Sequence, residues 1–383
     1  MAPFNHFDYV IIGNGLAGFQ LALALSKDSF FDNKQIGLID SSKKTTNDKT
    51  WCYWEVGPGK WDDIVYKTWN TADFITKNID IKLPLNPYTY KMIRSEDFYA
   101  SCKQTLNKKS HFSFIVDEVI DVEETTDVKI TTKSSSYSAD HVFDSRIEKS
   151  FFNKSDKYLR INQHFKGWVI ETEEDHFKPD SFTMMDYRLK DANQTTFTYV
   201  LPFSNKTALV EFTYFTPSLV EDNTYDIYLK KYISEILNIK KYNIKEVETG
   251  NIPMTNFPFK QSSTKHITKI GTAGGWVKGS TGYSFKHVEK KVSKIISNLK
   301  QNNNPTQGLF NAKYNFYDTI FLKVLKDEND KGEWIFERFY SKNTINAMFR
   351  FLDEDSSFAE ELKIMHSLFS FSFIKAFFQM LFK

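Results

Sequence analysis

The hydrophobic pattern near the N-terminus predicts a strand, a helix and a second strand. Tyr9 to Ile12 is a short, continuous apolar run rich in β-branched residues, which is typical of a buried parallel strand. A helix-like run follows at Phe19 to Ser26, and a second apolar run lies at Ile36 to Ile39. Later apolar runs predict a strand pair at 112–122 and 128–132. Strands and helices in this order are typical of an α/β domain.

Three glycines join the first predicted strand to the helix. Gly13, Gly15 and Gly18 have the spacing G-x-G-x-x-G. The first permits a tight turn, the second lets the backbone approach a pyrophosphate, and the third lets the helix pack close to the strand. Asp40 ends the second strand 22 residues after Gly18, where a carboxylate can accept hydrogen bonds from a ribose. The pattern predicts a dinucleotide site without separating FAD from NAD.

The pattern changes between residues 151 and 261, where aromatic, polar and β-branched residues alternate. Alternation with a period of two is typical of an antiparallel sheet with one packed face. The predicted strands lie at 165–172, 181–189, 195–201 and 208–216. We therefore predict a substrate-binding antiparallel domain at 151–261, inserted into an FAD-binding domain with two parts, 1–150 and 262–300.

A second strand–glycine–helix unit follows this region. His266 to Ile270 predicts a short strand, and Gly271 to Gly275 predicts a glycine turn. Ser280 to Phe285 then leads into a helix that ends at Leu299. A late unit of this kind typically closes over the other end of a bound dinucleotide.

The C-terminal region, 301–383, is predicted to be helical after a polar linker. Helical patterns cover 312–325, 334–351 and 358–382. The last of these holds six phenylalanines between Leu368 and Phe382, too many for one helical stripe. It is predicted either to pack on the body of the protein or to lie on a membrane surface.

Composition excludes several classes of protein. The 50 basic and 48 acidic residues nearly balance and are spread along the chain, so nucleic acid is not an expected partner. Cys52 and Cys102 belong to no C-x-x-C pair, and the histidines lack metal-ligand spacing, so no disulfide framework or metal site is predicted. The 36 phenylalanines fit an aromatic core, a tunnel for a long apolar ligand or a membrane-contacting face.

No secretory or membrane-spanning segment is predicted. The first ten residues contain Asp8 and lack a basic region typical of signal peptides. No stretch reaches the ~20 apolar residues that a spanning helix needs. The two cysteines, which belong to no disulfide framework, suit a reducing cytosol, so we expect a cytoplasmic protein.

Asp48 to Glu55 is unusually aromatic for a loop, because it contains Trp51, Tyr53 and Trp54. Such a segment is either a hydrophobic plug under a loop or part of a ligand cavity beside the cofactor. Composition alone does not choose between these two roles.

With these motifs, the chain resembles the flavin-dependent lycopene cyclases of carotenoid-making bacteria. The matching segments follow the order of the family and cover essentially the whole chain. They are Gly13 to Gly18 with Asp40, Asn47 to Trp54, Arg94 to Phe98, Val142 to Arg146, Gln163 to Trp168, Met185 to Arg188, Leu201 with Pro202, Leu209 to Thr213, Gly271 to Gly275 and Ser280 to Phe285.

The resemblance implies an α/β flavoprotein with a Rossmann-like, p-hydroxybenzoate-hydroxylase-like fold. It implies FAD in reduced form, with NAD(P)H as the reductant, although the reaction has no net redox change. The implied activity closes the linear ends of lycopene into β-ionone rings, giving β-carotene by way of γ-carotene. Because lycopene is wholly apolar, the protein is expected to draw it from a membrane, with which it is expected to associate peripherally.

Site residues follow from the motifs and the resemblance together. Trp51, Trp54 and Tyr283 are the candidates for substrate binding. The residues assigned to the cofactor are Gly13, Gly15, Leu16, Ala17, Gly18, Asp40, Arg94, Gly271, Gly274, Gly275 and Gly282. Ion pairing is the competing role for Arg94 and for three further residues, Asp144, Arg146 and Arg188.

Glu211 is the candidate catalytic acid or base, because burial in an apolar strand would raise its pKa and hold a proton for donation. The competing interpretation is a solvent-facing strand acid, since Val210 and Phe212 point the opposite way. The family's Phe-Leu-Glu-Glu-Thr motif is Leu-Val-Glu-Phe-Thr here, so Phe212 replaces a second glutamate. Thr272 likewise stands where many related flavoproteins have an aspartate.

Two other functions fit the sequence. One is a redox flavoenzyme of the same fold, either an FAD-dependent monooxygenase or a prenyl or carotenoid reductase. The other is a carotenoid- or lipid-binding protein with a vestigial dinucleotide site.

Overall fold

The structure is a computed structural model that describes residues 6–153 and 157–382. The strands are β1 (His6–Ile12), β2 (Ile36–Asp40), β3 (Thr50–Val56), β4 (Lys67–Trp69), β5 (Thr71–Ile75), β6 (Asp80–Pro84), β7 (Tyr88–Arg94), β8 (Phe112–Val116), β9 (Val119–Glu124), β10 (Val128–Thr132), β11 (Ser136–Asp144), β12 (Arg160–Glu171), β13 (Ser181–Asp186), β14 (Thr196–Pro202), β15 (Thr207–Thr216), β16 (Asn243–Thr255) and β17 (Ile267–Lys269).

The helices follow the same chain order. They are α1 (Leu16–Lys27), α2 (Ser95–Leu106), α3 (Lys149–Phe152), α4 (Asp222–Lys231), α5 (Phe285–Lys300), α6 (Ala312–Asp327), α7 (Gly332–Lys342), α8 (Ile345–Leu352), α9 (Phe358–Ser367) and α10 (Phe371–Leu381).

The first sheet carries the glycine turn. Its strand order is β8-β2-β1-β11-β10-β9, with β17 paired to β11. The pairs β1–β2, β2–β8, β1–β11 and β11–β17 are parallel. Because α1 follows β1 directly and α5 packs against α1, the two predicted strand–glycine–helix units belong to one layered domain.

The predicted strand at 112–122 is wrong as a single element. It is two strands, β8 and β9, which separate at Asp117 and Glu118. The Asp117 carboxylate accepts the N–H of Glu118 at 2.8 Å, and aspartate favours such local turns. Consequently β8 extends the parallel part of the sheet, while β9 pairs antiparallel with β10.

The second sheet has the order β16-β12-β15-β14-β13-β5-β6. Its pairs are antiparallel except β13–β5. Strands β5 and β6 come from residues 71–84, so the sheet is wider than the range 151–261 that the sequence predicts. Contacts of α4 with β12 and β15 cover one face, and α6 contacts the same two strands and β16.

Short polar segments divide the C-terminal helices that the sequence predicts as continuous. Thr344 caps α8 by accepting the N–H of Ala347, and Ser370 caps α10 by accepting that of Phe373. Helices therefore end before each cap and begin again after it. Among the described residues, no helix is long and apolar enough to cross a bilayer.

The phenylalanines serve more than one purpose. Many fill the cores, and the largest core joins the second sheet to α6, α7 and α8. Others are exposed on α10, which packs against α6 and buries only small residues, Ser372 and Ala376. Phe371 and Phe382 are 80% and 81% exposed.

Gly18→Ala is expected to destabilise the first domain. A Cβ at this position would lie 2.0 Å from the carbonyl oxygen of Gly13, so α1 must move away from β1. We expect a loss of about 1–3 kcal/mol in the free energy of unfolding, measured by urea denaturation. Gly15→Ala is the control, since no atom lies within 4 Å of its added Cβ. Equal losses in both variants would contradict this close approach.

Candidate functional site

A cavity of about 890 Å³ extends from the glycine turn after β1 to the C-terminal helices. At one end its wall is backbone and small side chains, including Gly13, Gly15 and Ala17. At the other end it is aromatic and aliphatic, with Phe336, Phe373 and other residues of the C-terminal helices. The cavity therefore joins a polar end to an apolar end.

The polar end has the features of a dinucleotide cradle. Helix α1 has no side-chain cap, so its first N–H groups are free to face the cavity beside Gly15. The N–H of Asn14 donates to Asp40 Oδ2 at 2.7 Å. Asn14 Oδ1 is buried with no hydrogen-bond partner among the described residues, and Asn14 itself does not line the cavity. The free N–H groups of α1 and the glycine backbone beside them fit the phosphates of FAD.

The late glycine turn meets the first one at this cradle. A Cβ on Gly271 would lie 3.2 Å from the Cβ of Ala17, so the turn after β17 packs on the start of α1. Thr272 also lines the cavity. The predicted cofactor residues on the cavity wall are Gly13, Gly15, Leu16, Ala17, Gly18, Gly271 and Gly282.

Four predicted cofactor residues lie behind the wall. Asp40 fixes the turn through Asn14, and Gly274 and Gly275 form the interior of the late turn, where a Cβ on Gly274 would approach the Lys269 carbonyl at 2.4 Å. Arg94 has its Nη2 at 3.0 Å from both Glu96 and Glu246. The structure therefore shows Arg94 in ion pairs, which was the alternative to cofactor binding for this residue.

The other predicted ion pairs are also present. Arg146 Nη2 lies 3.0 Å from Asp144 Oδ2, which also accepts from Lys269 at 2.9 Å. Arg188 pairs in the same way with Asp186. These charges stabilise the ends of β11 and β13 rather than line the cavity.

The alternation of β3 places its two tryptophans on opposite faces. Trp51 lines the cavity and contacts Phe98 and Phe285 edge-on or tilted. Trp54 instead stacks on Phe349 and donates its indole N–H to Asp353 at 2.8 Å. Because residues three apart in a strand point opposite ways, Trp54 lies behind the wall.

A cluster of tyrosine hydroxyls lines the middle of the cavity. Tyr90 Oη lies 2.9 Å from Tyr199 Oη and 3.2 Å from Tyr283 Oη. Cys52 lies beside them, and burial raises the pKa of its thiol to about 12. Of these residues the sequence predicts only Tyr283, because the others reach the cavity through strand pairings that no local motif shows.

Glu211 lies in the centre of the second sheet and faces this cavity. Its register partners are Gly167 on β12 and Tyr199 on β14, and its Oε1 accepts the hydroxyl of Thr213 at 2.7 Å. Val210 and Phe212 point to the opposite face, as predicted, where they pack in the core against α4. The solvent-facing interpretation is wrong, because both faces of this sheet are covered.

Burial and, to a smaller extent, the nearby carboxylate of Glu248 raise the pKa of Glu211 to about 8. The Thr213 hydroxyl opposes this shift by stabilising the ionised form. A glutamate of this kind holds a proton near neutral pH. No group of three or more His, Cys, Asp or Glu side chains within 6–153 and 157–382 is arranged to hold a metal ion.

The sheets, glycine turns and cavity define an FAD-binding Rossmann-type fold, as predicted. A geranylgeranyl bacteriochlorophyll reductase-like protein from Thermoplasma acidophilum is 12% identical, with a TM-score of 0.63 over 98% of this chain and 100% of its own. The flavin-dependent brominase Bmp2 is 14% identical, with a TM-score of 0.58 over 95% of this chain and 93% of its own. A variant of halogenase PltM in complex with FAD is 10% identical, with a TM-score of 0.60 over 97% of this chain and 90% of its own.

Such low identities establish the fold alone. The family model described as lycopene cyclase protein matches residues 8–378, which is nearly the whole chain. The chain belongs to the lycopene cyclase family, and this confirms the family that the motifs predict. None of the curated protein sequences compared with the chain matches it.

Glu211→Gln is expected to remove a pH dependence of stability. An unfolded glutamate has a pKa of about 4.3, whereas the pKa of Glu211 in the folded chain is about 8. Between these values the folded state keeps a proton that the unfolded state has lost. The wild-type free energy of unfolding therefore falls by about 1.4 kcal/mol per pH unit in this window.

Urea denaturation of wild type and variant at about pH 6 and about pH 8 measures this difference. The glutamine variant is expected to gain about 2–3 kcal/mol relative to wild type between these pH values. Glu171→Gln is the matched control, since Glu171 is partly exposed at the end of β12 and pairs with Lys245. Parallel pH profiles for wild type and Glu211→Gln would contradict the raised pKa.

Proposed function

We propose that the protein is a lycopene β-cyclase, an isomerase that closes the linear ends of lycopene into β-ionone rings. The observation that carries this proposal is a buried carboxyl, Glu211, on the wall of a cavity that is otherwise mainly apolar and aromatic, where burial raises its pKa to about 8. Cyclisation of a polyene end begins with protonation, and a carboxyl that stays neutral near pH 7 can supply that proton.

The aromatic wall supports the step that follows. Protonation of the terminal double bond leaves a carbocation, which is attracted to the electron-rich faces of aromatic rings. Trp51 lies on the wall, together with Tyr199 and Tyr283 near Glu211. These rings stabilise the charge without supplying a nucleophile as strong as water.

The polar end of the cavity is proposed to bind FAD through the two glycine turns, Leu16 and Ala17. When bound in its reduced form, FAD supplies negative charge beside the apolar end of the cavity, which favours a cation. NAD(P)H is the proposed reductant. Gly13, Gly15 and Gly271 orient the cofactor, and the C-terminal helices exclude water from the reacting end.

A reductase is the second candidate function. Its support is the fold likeness to a geranylgeranyl bacteriochlorophyll reductase-like protein over the full length of both chains. The two functions differ in stoichiometry, because a cyclase product is an isomer of its substrate and a reductase consumes one hydride donor per double bond.

The proposed substrate reaches the cavity from a membrane. Phe369, Phe377 and Phe378 line the cavity and are also 66%, 39% and 52% exposed, so the apolar wall continues onto the surface. Phe371 on α10 and Phe382 directly after it extend this surface. We infer peripheral attachment of the cytoplasmic protein through α10, with lycopene entering between the exposed phenylalanines.

Expression in bacteria engineered to make lycopene tests the activity. Wild type is expected to convert red lycopene to γ-carotene and β-carotene, identified by chromatography and mass. Glu211→Gln is expected to lower conversion at least about 100-fold, because the proton donor is lost. Unconverted lycopene in cells that contain folded, flavin-loaded wild type would overturn the proposal, and a product two hydrogens heavier would favour the reductase.

Vesicle sedimentation tests the membrane surface. The double variant Phe371→Ser with Phe382→Ser is expected to bind phospholipid vesicles at least about 10-fold more weakly, since a buried phenylalanine contributes about 1.5–3 kcal/mol. Neither residue lines the cavity. Phe30→Ser is the control, because Phe30 is 49% exposed on the first domain. Equal binding by both variants would contradict attachment through α10.

A further inference from the structure

A second, partly buried carboxyl, Glu248, faces the same cavity as Glu211. Strand β12 lies between β15 and β16, and Gly167 is the register partner of both glutamates. Side chains in register on neighbouring strands point to the same face of a sheet. Both glutamates line the cavity, about 10 Å apart along the sheet at a spacing of about 4.8 Å per strand.

Gly167, the register partner of both glutamates, places no side chain of its own between them. A Cβ at this position would lie 3.3 Å from the Cβ of Glu211 and 2.9 Å from Leu209 Cδ1. Glu211 and Leu209 therefore pack closely over the backbone of the glycine, which a larger residue at 167 would prevent. Four residues in register form one row across β16, β12, β15 and β14. In that order they are Glu248, Gly167, Glu211 and Tyr199.

Thr50 holds the carboxyl of Glu248 in place. Its N–H donates to Oε1 at 2.9 Å and its hydroxyl donates to Oε2 at 2.6 Å. In the described part of the chain, no lysine, arginine or histidine nitrogen forms a salt bridge with Glu248, whereas Glu246, two residues earlier, pairs with Arg94. Glu248 is thus oriented by hydrogen bonds rather than by a salt bridge. Burial raises the pKa of its carboxyl, and the two Thr50 hydrogen bonds and the charge of Lys49 oppose that shift.

We propose that Glu248 is the second carboxyl of the reaction centre and accepts the proton that leaves the newly closed ring. This inference rests on the proposed cyclase function. A residue at position 212 points to the opposite face of the sheet, into the core against α4, so the residue next to Glu211 cannot supply a second carboxyl to the cavity. The second carboxyl comes from β16, two strands away.

The proposed sequence of steps balances. Glu211 gives its proton to the terminal carbon–carbon double bond, whose electron pair forms the new C–H bond. A second double bond then supplies the electron pair that closes the ring and becomes a cation. Glu248 removes a proton from the neighbouring ring carbon, and that C–H pair becomes the ring double bond. Return of the proton from Glu248 to Glu211 restores the starting state with no net change in electrons.

Glu248→Gln is the first test. With purified, flavin-loaded protein, kcat for lycopene is expected to fall about 100-fold or more, with KM changed less than about 2-fold. Glu248→Asp keeps a carboxylate and is expected to recover part of kcat, which a merely structural role does not require. Glu171→Gln is the matched control on the same sheet. Wild-type kcat in Glu248→Gln would overturn the inference and leave the cyclase function standing.

A second measurement does not depend on turnover. The infrared carbonyl band of protonated Glu211, identified by its loss in Glu211→Gln, is titrated in wild type and in Glu248→Gln. If the two carboxyls share one site, the band is lost at a lower pH in Glu248→Gln, because a neighbouring negative charge has been removed. An unchanged titration would overturn the pairing, even if wild type proved inactive on lycopene and the proposed function itself failed.

Discussion

The exclusion of water from the Glu211 carboxyl is the physical constraint on which the site depends. A carboxylate in an apolar cavity loses hydration that the protein replaces only in part, here with one hydroxyl from Thr213. Protonation relieves that cost, so the group stays neutral at a pH where an exposed glutamate is ionised. This requires a sheet covered on both faces, and the C-terminal helices provide the cover on the cavity side. Without those helices Glu211 would be an ordinary surface acid.

A buried ion cluster fastens that cover to the cofactor domain. Lys278 lies between the late glycine turn at 271–275 and the segment 280–285. Its Nζ is 3.0 Å from Asp318 on α6 and 3.4 Å from Glu354 after α8. Because all three groups are largely removed from water, losing one partner would leave an uncompensated charge. The cluster therefore fixes where α6 lies over the second sheet and how closely it seals the cavity.

Local signals in the sequence predict the parts of the fold that are made locally. The glycine turn, Asp40 and the late strand–glycine–helix unit are short patterns, and each lies where it is predicted. The second sheet is less predictable, because β5 joins it through a parallel pairing with β13 about 110 residues later in the chain. The sequence does contain a signal for the helix breaks at Thr344 and Ser370. Both are favourable N-cap residues inside otherwise continuous helical patterns.

The same division applies to the site. Glu211 is predicted through its apolar strand and its motif, but its neighbours Tyr199 and Glu248 are set by strand register. Register depends on pairings between distant segments, so no spacing along the chain predicts this row. Trp54 is the reverse case, a residue that the sequence assigns to the cavity and the structure does not. Trp51 and Trp54 are close in sequence, which suggests that they share one wall, but the alternation of β3 places them on opposite faces.

Strand β3 couples the two halves of the cavity. Thr50 holds Glu248 on the second sheet, while Trp51, the next residue, packs against Phe98 of α2 and Phe285 of α5 in the first domain. The separation between the cofactor cradle and the carboxyl row is therefore fixed by one short strand that contacts both. A displacement of β3 would move the carboxyl that is proposed to accept a proton and the wall beside the cradle together. The two halves of the site thus keep their relative position even though their residues come from different sheets.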